Sequence, residues 1–417
     1  MAQSRVIFHC DCNSFYASVE LLSHPELKPV PVAVCGDPQH RHGIILAKNE
    51  AAKKFGIQTA ETVTSAMRKC PQLTLLAPHH EKYREYSKRI NAIYARYTEF
   101  VEPFGIDESW LDVTDSWHLF GPSPVAVAHR IRREVKAETG LTISVGVSFT
   151  KALAKLGSDY KKPDAVTEFS PQNYRQLVWP LPVSALLYVG QSAQSTLSRL
   201  GISTIGQLAA ASPQALQDTL GKLGAELQGF ALGQAGSPVR SMYEVREIKS
   251  VGNGLTFPRD LTCLADAQAG LAALSDEVAS RLRAHELYAG AVQITVKDSN
   301  FHTITRQAQL SSPTHLARDI AQQAVALLKQ NWRFPCPIRM LTVTALNVSH
   351  CAATQLSLFE PDAQRRDGRR ENLEKSLDVI RKKYGKNAIA PGVVLREDMG
   401  LGHLKVEPPH KTHKKGE

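Results

Sequence analysis

The stretch that decides the fold is VIFHCDCNSFYASVE, residues 6–20. Its first half alternates. Val6, Phe8, Cys10 and Cys12 fall on one face of an extended strand, and Ile7, His9 and Asp11 on the other. The segment that follows, Ser14 to Leu22, reads as a helix capped by Asn13 or Ser14. Two cysteines, a histidine and an aspartate side by side suggest a soft-metal site, but residues on opposite faces of one strand cannot ligate the same ion. Cys10 and Cys12 therefore read as buried core thiols and His9 as a packed neighbour. Asp11 is a carboxylate at a strand end, immediately before a tight turn.

Working outward, residues 30–77 form a small separate subdomain in which PVPVAVCGD is a strand and GIILAKNEAAKKFGI a strand running into a short lysine-rich helix. Tyr83, Tyr86, Ile90, Ile93, Tyr94 and Tyr97 recur at helical spacing between Lys82 and Phe100 and read as core. FVEPFGIDESWLDVT is a strand pair interrupted near Gly105. PVAVAHRIRREVKAETG is a helix with Val125, Ala128, Ile131 and Val135 inward, and LTISVGVS an alternating, half-buried strand. An α+β domain results, with 30–77 inserted into it. Strand signals vanish from 171 to 240, where short helices are joined by glycine turns at Gly190 and Gly201. Such turns expose backbone N–H groups and suit a duplex phosphate backbone. GQAGSPVRS, Gly233 to Ser241, reads as a linker. Residues 246–350 give strands and helices in the order βαββαβ, the ferredoxin-like arrangement. The tail from Cys351 is polar and basic, with a helical stretch near ENLEKSLDVIRKKYG and a disordered end, PPHKTHKKGE.

A chain of 417 residues is too long for one core and implies several domains. It has no apolar run long enough to span a bilayer and no secretory signal, so no membrane role and a cytoplasmic location are expected. Seven irregularly spaced cysteines without a CxxC fit reduced thiols. The net charge of +10 suggests a polyanionic partner, nucleic acid before membrane.

Asp107 and Glu108 sit in the apolar context FGIDESWLDV. Together with Asp11 they are three carboxylates of the kind that hold Mg²⁺ through hard oxygens. In an ideal strand Asp107 and Glu108 point to opposite faces, so both reach one site only at a turn or bulge. Lys48, Lys53 and Lys54, and Lys151, Lys155, Lys161 and Lys162, read mostly as solvated surface lysines, but a triphosphate beside metal-bound carboxylates would need one or two such cations. No GxxxxGK[ST] is present, which argues against a P-loop enzyme.

DCNSFYASVE, ILAKNEAAKKFGI, GIDESWLDVT and VSFTKALAKLGSDYKKPDA, in this order, resemble the successive motifs of Y-family (DinB/UmuC-type) translesion DNA polymerases. The resemblance runs from residue 5 to about 360 and implies a polymerase right hand, bacterial and monomeric. The palm would be 1–29 and 78–170, the fingers 30–77, and a helix-hairpin-helix thumb 171–235. A linker 236–245, a ferredoxin-like little finger 246–350 and a clamp-binding, basic tail 351–417 would follow. It implies error-prone, distributive copying of damaged primer–template DNA from dNTPs, without a proofreading domain. Asp11, Asp107, Glu108 and the backbone carbonyl of Cys12 would hold two Mg²⁺ ions. Tyr16 would be the steric gate against a ribose 2′-hydroxyl, Phe15 would line the nucleotide, and Lys53 and Lys162 would meet the triphosphate. In the tail, Gln355, Leu356, Leu358 and Phe359 of QLSLF resemble the peptide that docks on the bacterial sliding clamp. Three positions depart from the family pattern. Asn13 stands for a second aspartate, as in the UmuC branch; Gly105 stands for a serine; Glu50 stands for a triphosphate-binding tyrosine. The competing readings are a nucleotide-cyclase-like palm enzyme and a non-catalytic DNA- or clamp-binding scaffold. The duplex grip argues against the first and the intact carboxylates against the second.

Overall fold

The computed structural model describes residues 5–37, 43–234, 236–245, 247–350, 361–385, 388–389, 392 and 397–401. They fall into two compact units, 5–245 and 247–401.

The first unit is organised by a five-stranded sheet. Its strands are β1 (Ile7–Cys12), β5 (Val101–Pro103), β6 (Glu108–Asp112), β7 (Ile143–Ser148) and β8 (Val166–Phe169), in the order β5-β6-β1-β7-β8. All neighbours are antiparallel except β7 and β8. The two faces of β1 separate as the alternation requires. Phe8, Cys10 and Cys12 join a core with the helices His80–Tyr94 and Pro124–Thr139, while Ile7 packs with Trp110 and Ala154 on the other side. The cysteines are core thiols, and burial pushes both their pKa values up. The tyrosine-rich stripe is core as well: Tyr83, Ile90, Ile93, Tyr94 and Tyr97 are buried there, with Tyr86 at the margin. On the second helix the inward valine is Val127, beside Ala128, Ile131 and Val135; Val125 is only partly buried.

Strand β7 differs from its sequence reading. It is buried on both faces, because the helix Lys151–Tyr160 lies across the face bearing Ser144, Gly146 and Ser148. Those residues are small, not solvent-facing. A Cβ on Gly146 would come within 1.9 Å of the Ala154 carbonyl oxygen, so the approach of helix to strand depends on glycine there.

A second sheet, β3-β2-β4, comprises β2 (Val32–Cys35), β3 (Ile45–Lys48) and β4 (Thr74–Leu76), with the helices Glu50–Lys53 and Val63–Lys69. After these sheets come short helices, among them Gln191–Arg199, Pro213–Leu220 and Lys222–Ala231. Gly201 (φ 73°) and Gly221 (φ 59°) take left-handed turns between them. The expected linker is fastened to this unit. Val239 is buried against Ile7 and Trp110, and Arg240 bonds through its backbone N–H and guanidinium to the buried Glu102.

The second unit is an antiparallel sheet, β11-β10-β12-β9, made of β9 (Ser250–Leu261), β10 (Ala289–Asp298), β11 (Thr303–Thr314) and β12 (Ile338–Leu346). The helices Leu264–Ala284 and Ala317–Asn331 complete the βαββαβ element order. Part of the tail folds onto it as a 24-residue helix, Pro361–Tyr384. Arg283, 5% exposed, pairs with Glu374 and Asp378 of that helix, and Arg381 with Asp276. Met399 and Leu401 enter the same core. Among the described residues no helix is long and apolar enough to cross a membrane.

Candidate active site

The site is built where β1, β6 and the helix Lys151–Tyr160 meet. Asp11 near the end of β1 pairs in register with Glu108, the first residue of β6. Asp107 lies one residue earlier, in the turn that joins β5 to β6. The Phe104 and Gly105 N–H groups both donate to the Glu108 carbonyl, and the Cys12 N–H donates to that of Asp107. Leaving the strand at Asp107 removes the alternation that would separate its side chain from Glu108. A Cβ on Gly105 would sit 3.1 Å from Glu108 Cγ and 3.3 Å from Asp107 Oδ1, so glycine leaves room for both carboxylates to fold over the turn. Asn13 is turned away from them, held by Thr142 and Ser144 at 3.1 and 2.9 Å.

Two lysines neutralise this cluster. Lys155 Nζ lies 2.9 Å from Asp11 Oδ2 and 2.6 Å from Glu108 Oε2; Lys162 Nζ lies 2.8 Å from Asp11 Oδ1 and 2.8 Å from Asp159 Oδ1. Burial works against both ammonium groups, but the surrounding carboxylates overcome it and hold their pKa values above the ordinary lysine value. For Glu108 burial raises the pKa, yet His9 close by and the hydrogen bond and charge of Lys155 prevail and bring it down to about 2. Among the described residues no lysine or histidine bonds to Asp107: burial, then the charges of Asp11 and Glu108, raise it to about 6.

His9 is fully buried beneath the cluster, its Nδ1 2.8 Å from Ser158 Oγ and its Nε2 3.3 Å from Glu108 Oε2. Burial lowers its pKa, which keeps the imidazole neutral at neutral pH. His9, Asp11 and Glu108 bring potential ligand atoms within 4.8 Å of one another. The carboxylates supply the hard oxygens that Mg²⁺ takes, so the donor set fits a divalent ion of that kind. The sequence reading placed Lys155 among the available cations without a role and His9 outside the site. The phase of the helix Lys151–Tyr160 over β1, which brings Lys155 and Ser158 down together, was the missing signal.

Beside the carboxylates, the Tyr16 ring stacks on Tyr83 at 4.1 Å and 11°. The Tyr83 hydroxyl donates to Glu20 at 2.5 Å, and His79 Nδ1 lies 3.0 Å from both Glu20 oxygens. Glu20 is buried, so this chain of contacts fixes the Tyr16 ring from behind. Phe15 is 3% exposed and packs into the core, and Cys12 is equally buried. Lys53 Nζ is held by Glu50 at 2.5 Å, away from Asp11. Gln355, Leu356, Leu358 and Phe359 lie outside the described residues.

Models of the impB/mucB/samB family and of that family's C-terminal domain match residues 10–159 and 248–358. A curated DNA polymerase IV of Acetivibrio thermocellus is 45% identical over 401 residues, 96% of this chain and 100% of that protein. The chain belongs to the Y family of DNA polymerases. DNA polymerase IV 1 of Bacillus subtilis is 34% identical over 398 residues, covering 95% of this chain and 94% of that one. A solved Y-family DNA polymerase chimera shares the fold, with a TM-score of 0.73 over 82% of this chain and 99% of that chain at 21% identity. This polymerase therefore has the palm, fingers, thumb and little-finger architecture. His9→Phe in it is expected to raise the Mg²⁺ concentration for half-maximal primer extension about tenfold, the scale on which a lost buried partner weakens a carboxylate that would hold an ion. An unchanged Mg²⁺ dependence in a folded variant would place His9 outside the site.

Proposed function

We propose that this DNA-directed DNA polymerase performs error-prone translesion synthesis, transferring a nucleotide from a dNTP to a primer 3′-hydroxyl with two Mg²⁺ ions. The pairing of Asp11 with Glu108, with Asp107 one residue earlier in the turn, carries the reading. These carboxylates, with the Cys12 carbonyl, would hold the ions. When bound, such ions lower the pKa of the attacking hydroxyl and stabilise charge on the triphosphate. The chain's own residues do the rest. Lys155 bridges Asp11 and Glu108 and partly neutralises them before metal enters, so they coexist at bearable repulsion. Lys162, Lys53 and the amides after Asn13 supply positive potential for the triphosphate, and Phe15 backs the nucleotide pocket from the core. The partners are primer–template DNA, dNTPs and, through Gln355 to Phe359, the bacterial sliding clamp. The enzyme acts as a cytoplasmic monomer.

Tyr16 would select the sugar. Its half-buried ring, braced by Tyr83, cannot swing aside without breaking the stack, so a 2′-hydroxyl meets a fixed wall. Tyr16→Ala is expected to raise ribonucleotide relative to deoxyribonucleotide incorporation by about a hundredfold, the discrimination of roughly 3 kcal/mol that a close steric contact provides. Equal discrimination in the variant would remove Tyr16 from the sugar site. The function itself is tested by extending a primer opposite undamaged and lesion-bearing templates, with and without the clamp. Failure to insert opposite any lesion would refute the translesion role.

A further inference from the structure

The fingers contain a carboxylate for which the reaction has no use. Glu50 opens the short helix Glu50–Lys53, and the residue before it is rigidly placed. Asn49 is 6% exposed; its side chain accepts from the Val32 and Ala52 N–H groups and donates to the Val30 carbonyl. From that anchor Glu50 Oε1 accepts two bonds, from the Ser14 hydroxyl at 3.1 Å and from Lys53 Nζ at 2.5 Å. Ser14 belongs to the palm, three residues after Asp11, in a left-handed turn with φ 51°. One anionic oxygen thus joins a palm hydroxyl, three residues along the chain from Asp11, to a fingers ammonium. These are the kinds of donor that a phosphate oxygen recruits.

We propose that Glu50 is a built-in competitor of the nucleotide triphosphate. It holds Lys53 and Ser14 while no nucleotide is bound, and releases them when a triphosphate arrives. The inference rests on the reading that Lys53 meets the triphosphate. A cavity of about 330 Å³ lined by Asn13, Ser14, Asn49 and Glu50, among others, gives the displaced carboxylate room without moving the helix. Glu50 and Lys53 side chains are 49% and 37% exposed, so their pairing is the weak kind that a more highly charged anion can displace. Glu50 thereby lowers affinity for every dNTP alike, by occupying the grip and by repelling phosphate charge.

The test measures dATP dissociation constants for the full-length polymerase on primer–template, in Glu50→Gln, Lys53→Met and the double variant. Glu50→Gln is expected to tighten dATP about three- to fivefold, less at high salt because the pair is exposed. Lys53→Met should weaken dATP, and in its background Glu50→Gln should recover less than half of its effect. If Lys53→Met weakens dATP while Glu50→Gln leaves it unchanged or weaker, the competitor role is overturned and the Lys53 reading stands. If Lys53→Met binds dATP normally, the Lys53 reading itself is wrong. Melting temperatures of all three variants separate these outcomes from misfolding.

Discussion

Asp107→Asn is expected to slow templated primer extension by about a thousandfold or more, the scale of losing one charged group aimed at the reacting centre. Primer–template binding should persist, because affinity for duplex DNA rests in general on many phosphate contacts and not on one carboxylate. Asp107 is the most exacting of the three carboxylates to test. Asp11 and Glu108 are held by lysines, so replacing either also disturbs Lys155, whereas among the described residues no lysine pairs with Asp107. Its position yields a pH signature too. Burial, then the neighbouring charges of Asp11 and Glu108, raise its pKa to about 6, so below pH 6 it is largely protonated and cannot serve as an anionic ligand. Extension at limiting Mg²⁺ should fall about tenfold per pH unit below that point. Added Mg²⁺ should move the midpoint down, since an ion that binds only the carboxylate competes with the proton. Asp107→Asn should lack this limb. Stability has the opposite sign in the metal-free protein. A raised carboxyl pKa favours the fold fully below the unfolded value near 4, and this contribution is lost as pH rises through about 6. Glu108, held at about 2, contributes above roughly pH 4.3 and loses its share as pH falls toward 2. A wild-type enzyme with a flat profile from pH 5 to 7 at limiting Mg²⁺ would show that Asp107 is not a ligand.

What could be read in the sequence was whatever depends on period and order. The two faces of β1 follow from a period of two, and so do the burial of Cys10 and Cys12 and the isolation of Asp11 on the other face. The tyrosine stripe of the helix His80–Tyr94 follows from helical spacing. What could not be read depends on how closely elements approach. Ser144, Gly146 and Ser148 have the composition of a solvent-facing stripe, and the same smallness lets a helix sit on them. Lys155 looked like any surface lysine until that helix was laid over β1. The helix Pro361–Tyr384 was legible only in its second half. Its attachment rests on ion pairs to Arg283 and from Arg381 to Asp276, and a buried arginine has no signature distinguishing it from an exposed one. Asn13 and Gly105 looked like departures from a pattern; in three dimensions each has local work, stitching β1 to β7 and making room for the carboxylates.

Gly146→Ala is accordingly expected to be the most destabilising methyl group that can be added to the palm. The new Cβ would lie 1.9 Å from the Ala154 carbonyl oxygen and 2.5 Å from the Ser158 nitrogen. Both are backbone atoms of a helix that packs on β1, β7 and β8, so no rotamer change relieves the clash; helix and sheet must part. Overpacking that moves backbone costs on the order of 3–5 kcal/mol, or about 10 °C in Tm for a unit of this size. The parting would carry Lys155 and Ser158 away from Asp11, Glu108 and His9, so residual activity should be lost beyond the fall in stability, even well below the Tm. Gly157→Ala is milder, with its Cβ 3.0 Å from the Gly146 Cα. Gly190→Ala, with nothing within 4 Å, should cost no more than about 1 kcal/mol, the difference between glycine and alanine at a helix cap. Thermal unfolding and extension rates of the three variants check the order. If Gly146→Ala melts with the wild-type enzyme, the helix does not rest on β7 through this glycine, and Lys155 has no fixed place between the two carboxylates.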